Sequence, residues 1–332
     1  MTSSAFETLI ESIKNAQSIV LSTHKQCDGD GLGAEIAMFH ALKSIGKKVQ
    51  IINVDPTPKK YRFLAPDEYI TYLEKSPNLS FEADLILIFD TNDERLLEPL
   101  FPLFKKTKAQ IVFIDHHPVL KMGPAPTIQS WIDTTAASTG EMAYRLIKKL
   151  QIPIDTNSAR ALYTSITFDT QIFRFIRNSP VSHEIAAELL RFPIEPQLVH
   201  KHLFGEQTVE KIKLLAHALG QIEYFENGKI AVIRVNSADL KKHKLDPEDA
   251  RDVIDFIMNI EILEAAALFR EDGPSVYKLS LRSKGRLEVL AIAEKFGGGG
   301  HIYASGASIQ GDYEKLRKDV VNGLLEAIQK IK

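Results

Sequence analysis

Eight residues of this 332-residue chain have the types and placement to do chemistry. His24, Asp28 and Asp30 follow the apolar run SIVLST, and Asp90 closes DLILIFD. Asp115, His116 and His117 end QIVFID and follow it, and Asp169 comes directly after ALYTSITF. Carboxylates and imidazoles gathered at one place would repel one another unless cations were bound among them, because unpaired buried charge is very costly. A donor set of oxygen and nitrogen without sulfur favours Mn²⁺, with Mg²⁺, Co²⁺ or Fe²⁺ also compatible, over structural zinc. Six or more ligands exceed what one open catalytic site needs, so two metals are expected. Two ions about 3.5–4 Å apart are the recurring device for hydrolysing phosphate esters.

The elements that would bring these residues together can be read from the apolar pattern. The runs at 18–23, 48–53, 84–90 and 110–115 are short, apolar and bounded by polar or turn residues, as buried parallel strands are. Between the first two, residues 33–46 carry apolar side chains at helical spacing and end in Gly46. Strand, helix, strand in this order predicts an α/β fold whose larger N-terminal domain has a parallel sheet flanked by helices. Every candidate except Asp169 then sits at the carboxyl end of a strand, where such sheets bind ligands. Further helices are expected at 139–150, 157–169 and 182–191, and one longer helix at about 196–218. Beyond it the texture changes. Residues 221–235 read as a hairpin turning at Asn227-Gly228. A helix is expected over 246–259, a second hairpin around Asp272-Gly273-Pro274, and a short helix before Gly297–Gly300. The expectation is a smaller C-terminal α/β domain with a mixed sheet, joined by a helical linker, with boundaries at 1–190, 191–218 and 219–332.

Composition bounds the function class. With 41 Lys+Arg against 43 Asp+Glu the formal net charge is −2, which argues against coating long nucleic acids through bulk charge. A single cysteine, Cys27, excludes a disulfide framework and a Cys-rich zinc module, and leads to the expectation of a cytoplasmic protein. Cys27 itself reads as a small filler. No window approaches the roughly 20 apolar residues of a bilayer span, and the N-terminus lacks the regions of a signal peptide. No membrane association is expected.

His24-x3-Asp28-x-Asp30-x2-Gly33, Asp90 in DTND, Asp115-His116-His117, and Asp169 in LYTSITFDTQIFRF resemble, in order, the four motifs of the DHH phosphoesterase family. The later SLRS (280–283) and GGGGH (297–301) resemble its associated C-terminal substrate-binding domain. The spacing is similar to the branch of bacterial nano-RNases that also act as 3′-phosphoadenosine 5′-phosphate phosphatases. This resemblance implies that His24, Asp28 and Asp90 hold one metal while Asp30, Asp90, His116 and Asp169 hold the other, with Asp90 bridging. It leaves His117 to contact a phosphate oxygen or the leaving group, with Asp115 orienting the imidazoles. Cys27 stands where the family commonly has proline, and Gly31 and Ala34 replace its usual Ala and Ser. None of these changes removes a ligand.

The expected substrate contacts are Arg282, Ser283, Gly298, Gly299, Gly300 and His301. Backbone without Cβ atoms can approach a nucleotide closely and point N–H groups at phosphate. Arg282, with Arg270 on the adjacent predicted strand, has the fork to bind a terminal phosphate. Ser138-Thr139-Gly140-Glu141 opens a helix and either caps it or binds phosphate. The expected activity is metal-dependent hydrolysis of short oligoribonucleotides to mononucleotides, together with dephosphorylation of 3′-phosphoadenosine 5′-phosphate to AMP. The alternatives are a cyclic or linear dinucleotide phosphodiesterase and, in a different class, a non-catalytic nucleotide-binding protein. The latter is disfavoured because no G-x-G-x-x-G follows the first strand. Expected partners are short oligoribonucleotides or small nucleotides, not long duplex nucleic acid, and a homodimer is compatible with the sequence.

Overall fold

The computed structural model describes residues 2–76, 79–120, 123–205, 207–250 and 252–330. It divides into two compact units, Met1–Glu206 and Gln207–Lys332. The first contains α1 (Thr2–Asn15), β1 (Ser18–Thr23), α2 (Gly29–Ser44), β2 (Lys48–Asn53), β3 (Ile70–Tyr72), β4 (Leu85–Phe89), α3 (Phe101–Lys105) and β5 (Gln110–Asp115). It continues through β6 (Trp131–Ile132), α4 (Thr139–Lys149), α5 (Thr156–Asp169), α6 (Val181–Leu189) and α7 (Pro196–His200). Its six strands form a parallel sheet in the order β3-β2-β1-β4-β5-β6.

Alternation along the strands sorts the core into two layers, since successive side chains point to opposite faces. Ile19, Leu21, Leu85, Leu87 and Phe89 join the cluster that includes Leu32, Ile36, Ala143 and Leu162 from α2, α4 and α5. Val20, Ile86 and Ile88 face the other way, onto Leu97, Leu100, Phe101 and Phe104. Helix α2 lies so close to α5 that a Cβ on Gly33 would sit 2.5 Å from the Ala161 carbonyl oxygen. Only glycine fits there.

The second unit contains α8 (Val209–Leu219), β7 (Glu223–Phe225), β8 (Ile230–Val235), α9 (Ser237–His243), α10 (Asp252–Ile257) and β9 (Ala265–Gly273). It ends with β10 (Val276–Ser283), α11 (Leu290–Lys295), β11 (Gly299–His301), β12 (Ala304–Gln310) and α12 (Tyr313–Gln329). The sheet order is β11-β12-β10-β9-β8-β7. It is mixed, with β8 and β9 parallel and the other neighbours antiparallel. The hairpin turn at Asn227-Gly228 is present, with φ of 55° and 86°.

Two helices differ from the sequence reading. The stretch 196–218 is not one helix: α7 passes into a π turn at Lys201–Gly205, and α8 starts anew after Thr208, whose Oγ1 accepts from the Lys211 amide at 3.1 Å. Gly205 weakens the helix interior and Thr208 supplies a cap, which together make a stop and a start. Over 246–259 the chain forms a 3₁₀ turn at Pro247–Ala250 and then the short α10.

Candidate active site

The strand order reverses at β1, which pairs with β2 on one side and β4 on the other. Crevices for ligands open at the carboxyl ends of strands at such a switch point. His24 follows β1, and Asp90 follows β4 with a left-handed φ of 63°. Short polar side chains tolerate that conformation better than most. The Asp90 amide still donates to the Ile114 carbonyl at 3.0 Å, so the aspartate is fixed by the sheet. Thr23 Oγ1 donates to the Phe89 carbonyl at 3.0 Å and ties the two strand ends together. His24 Nε2 then lies 3.5 Å from Asp90 Oδ2.

Asp28 is the N-cap of α2 and accepts from the Asp30 amide at 3.0 Å. The first turn of α2 delivers Asp30 to the N-terminus of α4, where the amides of Thr139 and Gly140 donate to its carboxylate at 2.8 and 3.1 Å. A helix N-terminus favours a carboxylate through its dipole and its unused amides. Ser165 Oγ of α5 also donates to Asp30, and Thr139 Oγ1 donates to Asp90 Oδ1 at 3.1 Å. Ser138 Oγ caps α4 by accepting from the Glu141 amide at 3.1 Å. Of the two readings of 138–141, the structure shows the cap, and the next amides serve Asp30.

Strand β5 ends in Asp115, which is fully buried and accepts from the His117 amide at 3.1 Å, from His117 Nδ1 at 2.8 Å and from Asn92 Nδ2 at 2.6 Å. Asn92 also donates to the His117 carbonyl at 3.0 Å. His116 is fully buried, with Nδ1 3.3 Å from the Ala136 carbonyl. A carbonyl can only accept, so Nδ1 carries the proton and Nε2 presents its lone pair. That lone pair faces Asp30 Oδ2 at 3.3 Å, Asp169 Oδ2 at 3.5 Å and Asp90 Oδ1 at 3.7 Å. Asp169, at the end of α5, thus joins the strand-end residues.

The electrostatics follow from this crowding. Burial, then the charges of Asp90 and Asp169, push the Asp30 carboxyl well above its usual range. Burial and Asp90 raise Asp169 to about 7. Burial, then the charge of His117, hold His116 down at about 4. For His24 burial acts downward but is outweighed by the Asp90 hydrogen bond and the charges of Asp28 and Asp90, giving about 9. Burial likewise opposes protonation of His117, yet Asp115 and the charges of Asp90 and Asp169 raise it to about 10. Burial pushes Asp115 up, but His117 beside it wins and keeps that carboxyl below its ordinary value.

Lone pairs of an uncharged imidazole and three carboxylates directed at one space fit a cation and little else. Single ligand atoms of His24, Asp28 and Asp90 lie within 4.8 Å of one another, and so do those of Asp30, His116 and Asp169. Both sets are able to hold a metal. Asn92 and Ser165 were not singled out from sequence, although they stand in DTND and LYTSITFDTQIFRF, and Thr139 was read only as part of a helix opening, not as a partner of Asp30 and Asp90.

In the second unit the register sets Arg282, Ala304 and His301 abreast on β10, β12 and β11. Arg282 Nε donates to Asp255 at 3.2 Å, and Ser283 Oγ donates to the Leu287 carbonyl at 2.5 Å. Arg270 forks onto Asp272 at 2.7 and 3.0 Å and donates to the Pro247 carbonyl at 3.0 Å. The glycine run divides: Gly297 ends the turn after α11, while Gly299 and Gly300 are strand residues of β11.

Carboxylates and imidazoles gathered at the switch point of a parallel sheet suit a metal-dependent phosphoesterase. Family models agree: one described as "DHH family, N-terminal domain" matches residues 18–166 and one described as "DHHA1 domain" matches residues 227–331. The two together span most of the chain, which belongs to the DHH family. Relatives include the bifunctional oligoribonuclease and PAP phosphatase NrnA of Bacillus subtilis, 28% identical over 91% of this chain and 92% of its own length. The protein of the same name from Thermus thermophilus is 28% identical over 93% of this chain and 90% of its own length. The crystal structure of an exopolyphosphatase-related protein from Bacteroides fragilis shares the fold, with a TM-score of 0.88 at 22% identity over 99% of this chain and 98% of that one. Among the described residues no helix is long and apolar enough to cross a membrane.

Proposed function

We propose that this chain is a cytoplasmic two-metal phosphoesterase that hydrolyses short oligoribonucleotides to mononucleotides and converts 3′-phosphoadenosine 5′-phosphate to AMP. The observation that carries the reading is His116, whose tautomer is set by the Ala136 carbonyl so that Nε2 meets three carboxylates within 3.7 Å. His24, Asp28 and Asp90 hold one ion, and Asp30, Asp90, His116 and Asp169 hold the other, with Asp90 shared. Mn²⁺ suits this donor set best. When bound, the ions supply Lewis acidity at the phosphate and make water nucleophilic at neutral pH.

The chain's own residues do the rest. The α4 amides and Ser165 orient Asp30, and Thr139 orients Asp90, so the ligands need little rearrangement. Asp115 and Asn92 hold His117 in place from both ends, and the Asp115 carboxylate at Nδ1 favours its imidazolium form. A cationic His117 donates to a phosphate oxygen or to the leaving oxygen. Arg282, Ser283, the Gly298–Gly300 backbone and His301 contact the nucleotide. The names of the relatives support this choice of substrates.

The test is an assay with Mn²⁺ on di- to pentaribonucleotides labelled at either end, alongside phosphate release from 3′-phosphoadenosine 5′-phosphate. Mononucleotide release from the short RNAs is the expected outcome. Metal-loaded protein inactive on every one of these substrates would leave a non-catalytic nucleotide-binding protein as the reading.

A further inference from the structure

We propose that the hairpin tip Ile302-Tyr303 is the nucleobase platform of the C-terminal domain, the Tyr303 ring stacking on one base of the substrate. This rests on the reading of the chain as a hydrolase of short oligoribonucleotides and names a specificity determinant for that reaction.

The composition of the tip is the first observation. His301 pairs with Ala304, so β11 and β12 are joined by only two residues. Two-residue hairpin loops favour Gly, Asn and Asp, which reach positive φ easily. Here the loop is Ile-Tyr, and neither residue takes a positive φ. Both side chains are substantially in solvent, Ile302 at 40% and Tyr303 at 42% exposure. A local rule broken in this way, with bulky apolar groups placed outward, is expected where function rather than folding selects the residue.

The second observation is that the tip is rigid. The Ile302 carbonyl accepts from the amides of Val289 at 2.8 Å and Leu290 at 3.3 Å, where α11 begins. The Tyr303 carbonyl accepts from the Ser283 amide at 2.9 Å, at the end of β10. An exposed ring on a backbone held from two sides offers contact area at little ordering cost.

The third concerns the glycines beside it. A Cβ on Gly298 would lie 2.0 Å from the Gly306 carbonyl oxygen, and one on Gly300, at φ +123°, would lie 2.7 Å from the Ala304 carbonyl oxygen. Packing within the hairpin already requires glycine at these two positions, so their presence does not by itself report a ligand. Side-chain chemistry at this sheet end belongs to His301, Ile302 and Tyr303, with Arg282 two strands from His301 in the same register. Polar and cationic groups suited to phosphate thus share this sheet end with an aromatic ring suited to a base. Stacking on an aromatic ring serves every base, because each has a π face. The platform therefore favours base-bearing substrates without choosing among sequences.

The experiment compares kcat/KM on a ribodinucleotide with kcat/KM on the same dinucleotide carrying one abasic residue, for the full chain with Mn²⁺. Wild type favours the base-bearing substrate. In Tyr303→Ala the ratio of the two values falls by at least roughly five-fold, the lower end of base stacking on an aromatic ring, and in Tyr303→Phe it is retained. A ratio in Tyr303→Ala within about two-fold of wild type overturns the proposal, since stacking exceeds that. So does an equal loss in Tyr303→Phe, which would assign the effect to the hydroxyl. Wild-type protein inactive on both substrates removes the phosphoesterase reading and this inference with it, whereas an active wild type with an unchanged Tyr303→Ala ratio removes the inference alone.

Discussion

Asp90 meets three imidazoles at once: it lies 3.5–3.7 Å from His24, His116 and His117 and takes a hydrogen bond from Thr139. Its left-handed φ of 63° makes the choice of variant matter. Alanine would remove the charge and strain the backbone together, whereas asparagine accepts that conformation readily. Asp90→Asn should therefore fold as wild type by thermal melt, lose at least one bound metal by elemental analysis, and lose turnover by a factor of 100 or more, roughly the scale of removing one transition-state stabiliser. Two metals retained at full occupancy would remove Asp90 from its shared position. The residues proposed as ligands were picked out in the sequence because, Asp169 apart, they follow apolar strand runs. Asn92 and Ser165 were not, nor was the tie of Thr139 to Asp30 and Asp90, since the partners lie 23 to 135 residues away. A hydroxyl inside a helix gives no sign of which carboxylate it will meet.

At the scale of elements, three helices set the metal-facing geometry. Helix α2 carries Asp30, α4 presents its N-terminal amides, and α5 brings Ser165 and Asp169. Their spacing depends on Gly33, where an added Cβ would meet the Ala161 carbonyl at 2.5 Å and the Ser165 Cβ at 2.8 Å. Backbone cannot give way as a flexible side chain can, so Gly33→Ala should push α2 from α5. The expected cost is about 1–3 kcal/mol of stability, the usual range for overpacking, read from a denaturant melt. Because Ser165 and Asp30 move apart with the helices, Mn²⁺ affinity should fall as well, and a variant that lost stability but bound Mn²⁺ as wild type would show that this spacing does not tune the site. The long periodic segments α2, α4 and α5 were readable from sequence. The strands β3 and β6, of three and two residues, were not, because so few residues carry no period. Their placement comes from pairing with β2 and β5.

Across the whole molecule the formal charge is close to balanced at −2, yet a few carboxylates, Asp30, Glu35, Asp90 and Asp115 among them, are buried. Like Asp30, Glu35 of α2 is buried; it is held by Asn53 Nδ2 at 2.7 Å, and burial pushes its carboxyl up to about 8. A carboxyl with a raised folded pKa keeps its proton longer in the folded chain than in the unfolded one. Its stabilising contribution is fully present below the unfolded value near 4 and is lost as pH rises through the folded value, at up to about 1.4 kcal/mol per pH unit for each group. His24 and His117, raised to about 9 and 10, act in the same direction at higher pH. Asp115, lowered, opposes them only in acid, while His116, held down at about 4, and His40 and His200, lowered by burial, oppose them up to the ordinary imidazole value near 6.5. Metal-free protein should therefore melt at progressively lower temperature between about pH 6.5 and pH 8.5, where only the raised groups still titrate. Divalent metal reverses the trend, because the ions bind deprotonated ligands and stabilise the folded state by mass action. The rise in Tm on adding Mn²⁺ should thus be larger at pH 8 than at pH 5.5. Glu35→Gln separates the two contributions: Glu35 belongs to neither ligand set, so the variant should flatten the metal-free slope between about pH 6.5 and pH 8.5 while keeping the Mn²⁺-induced rise. A metal-free Tm that climbed with pH over this window would contradict the assignment of buried, proton-holding carboxylates to the site.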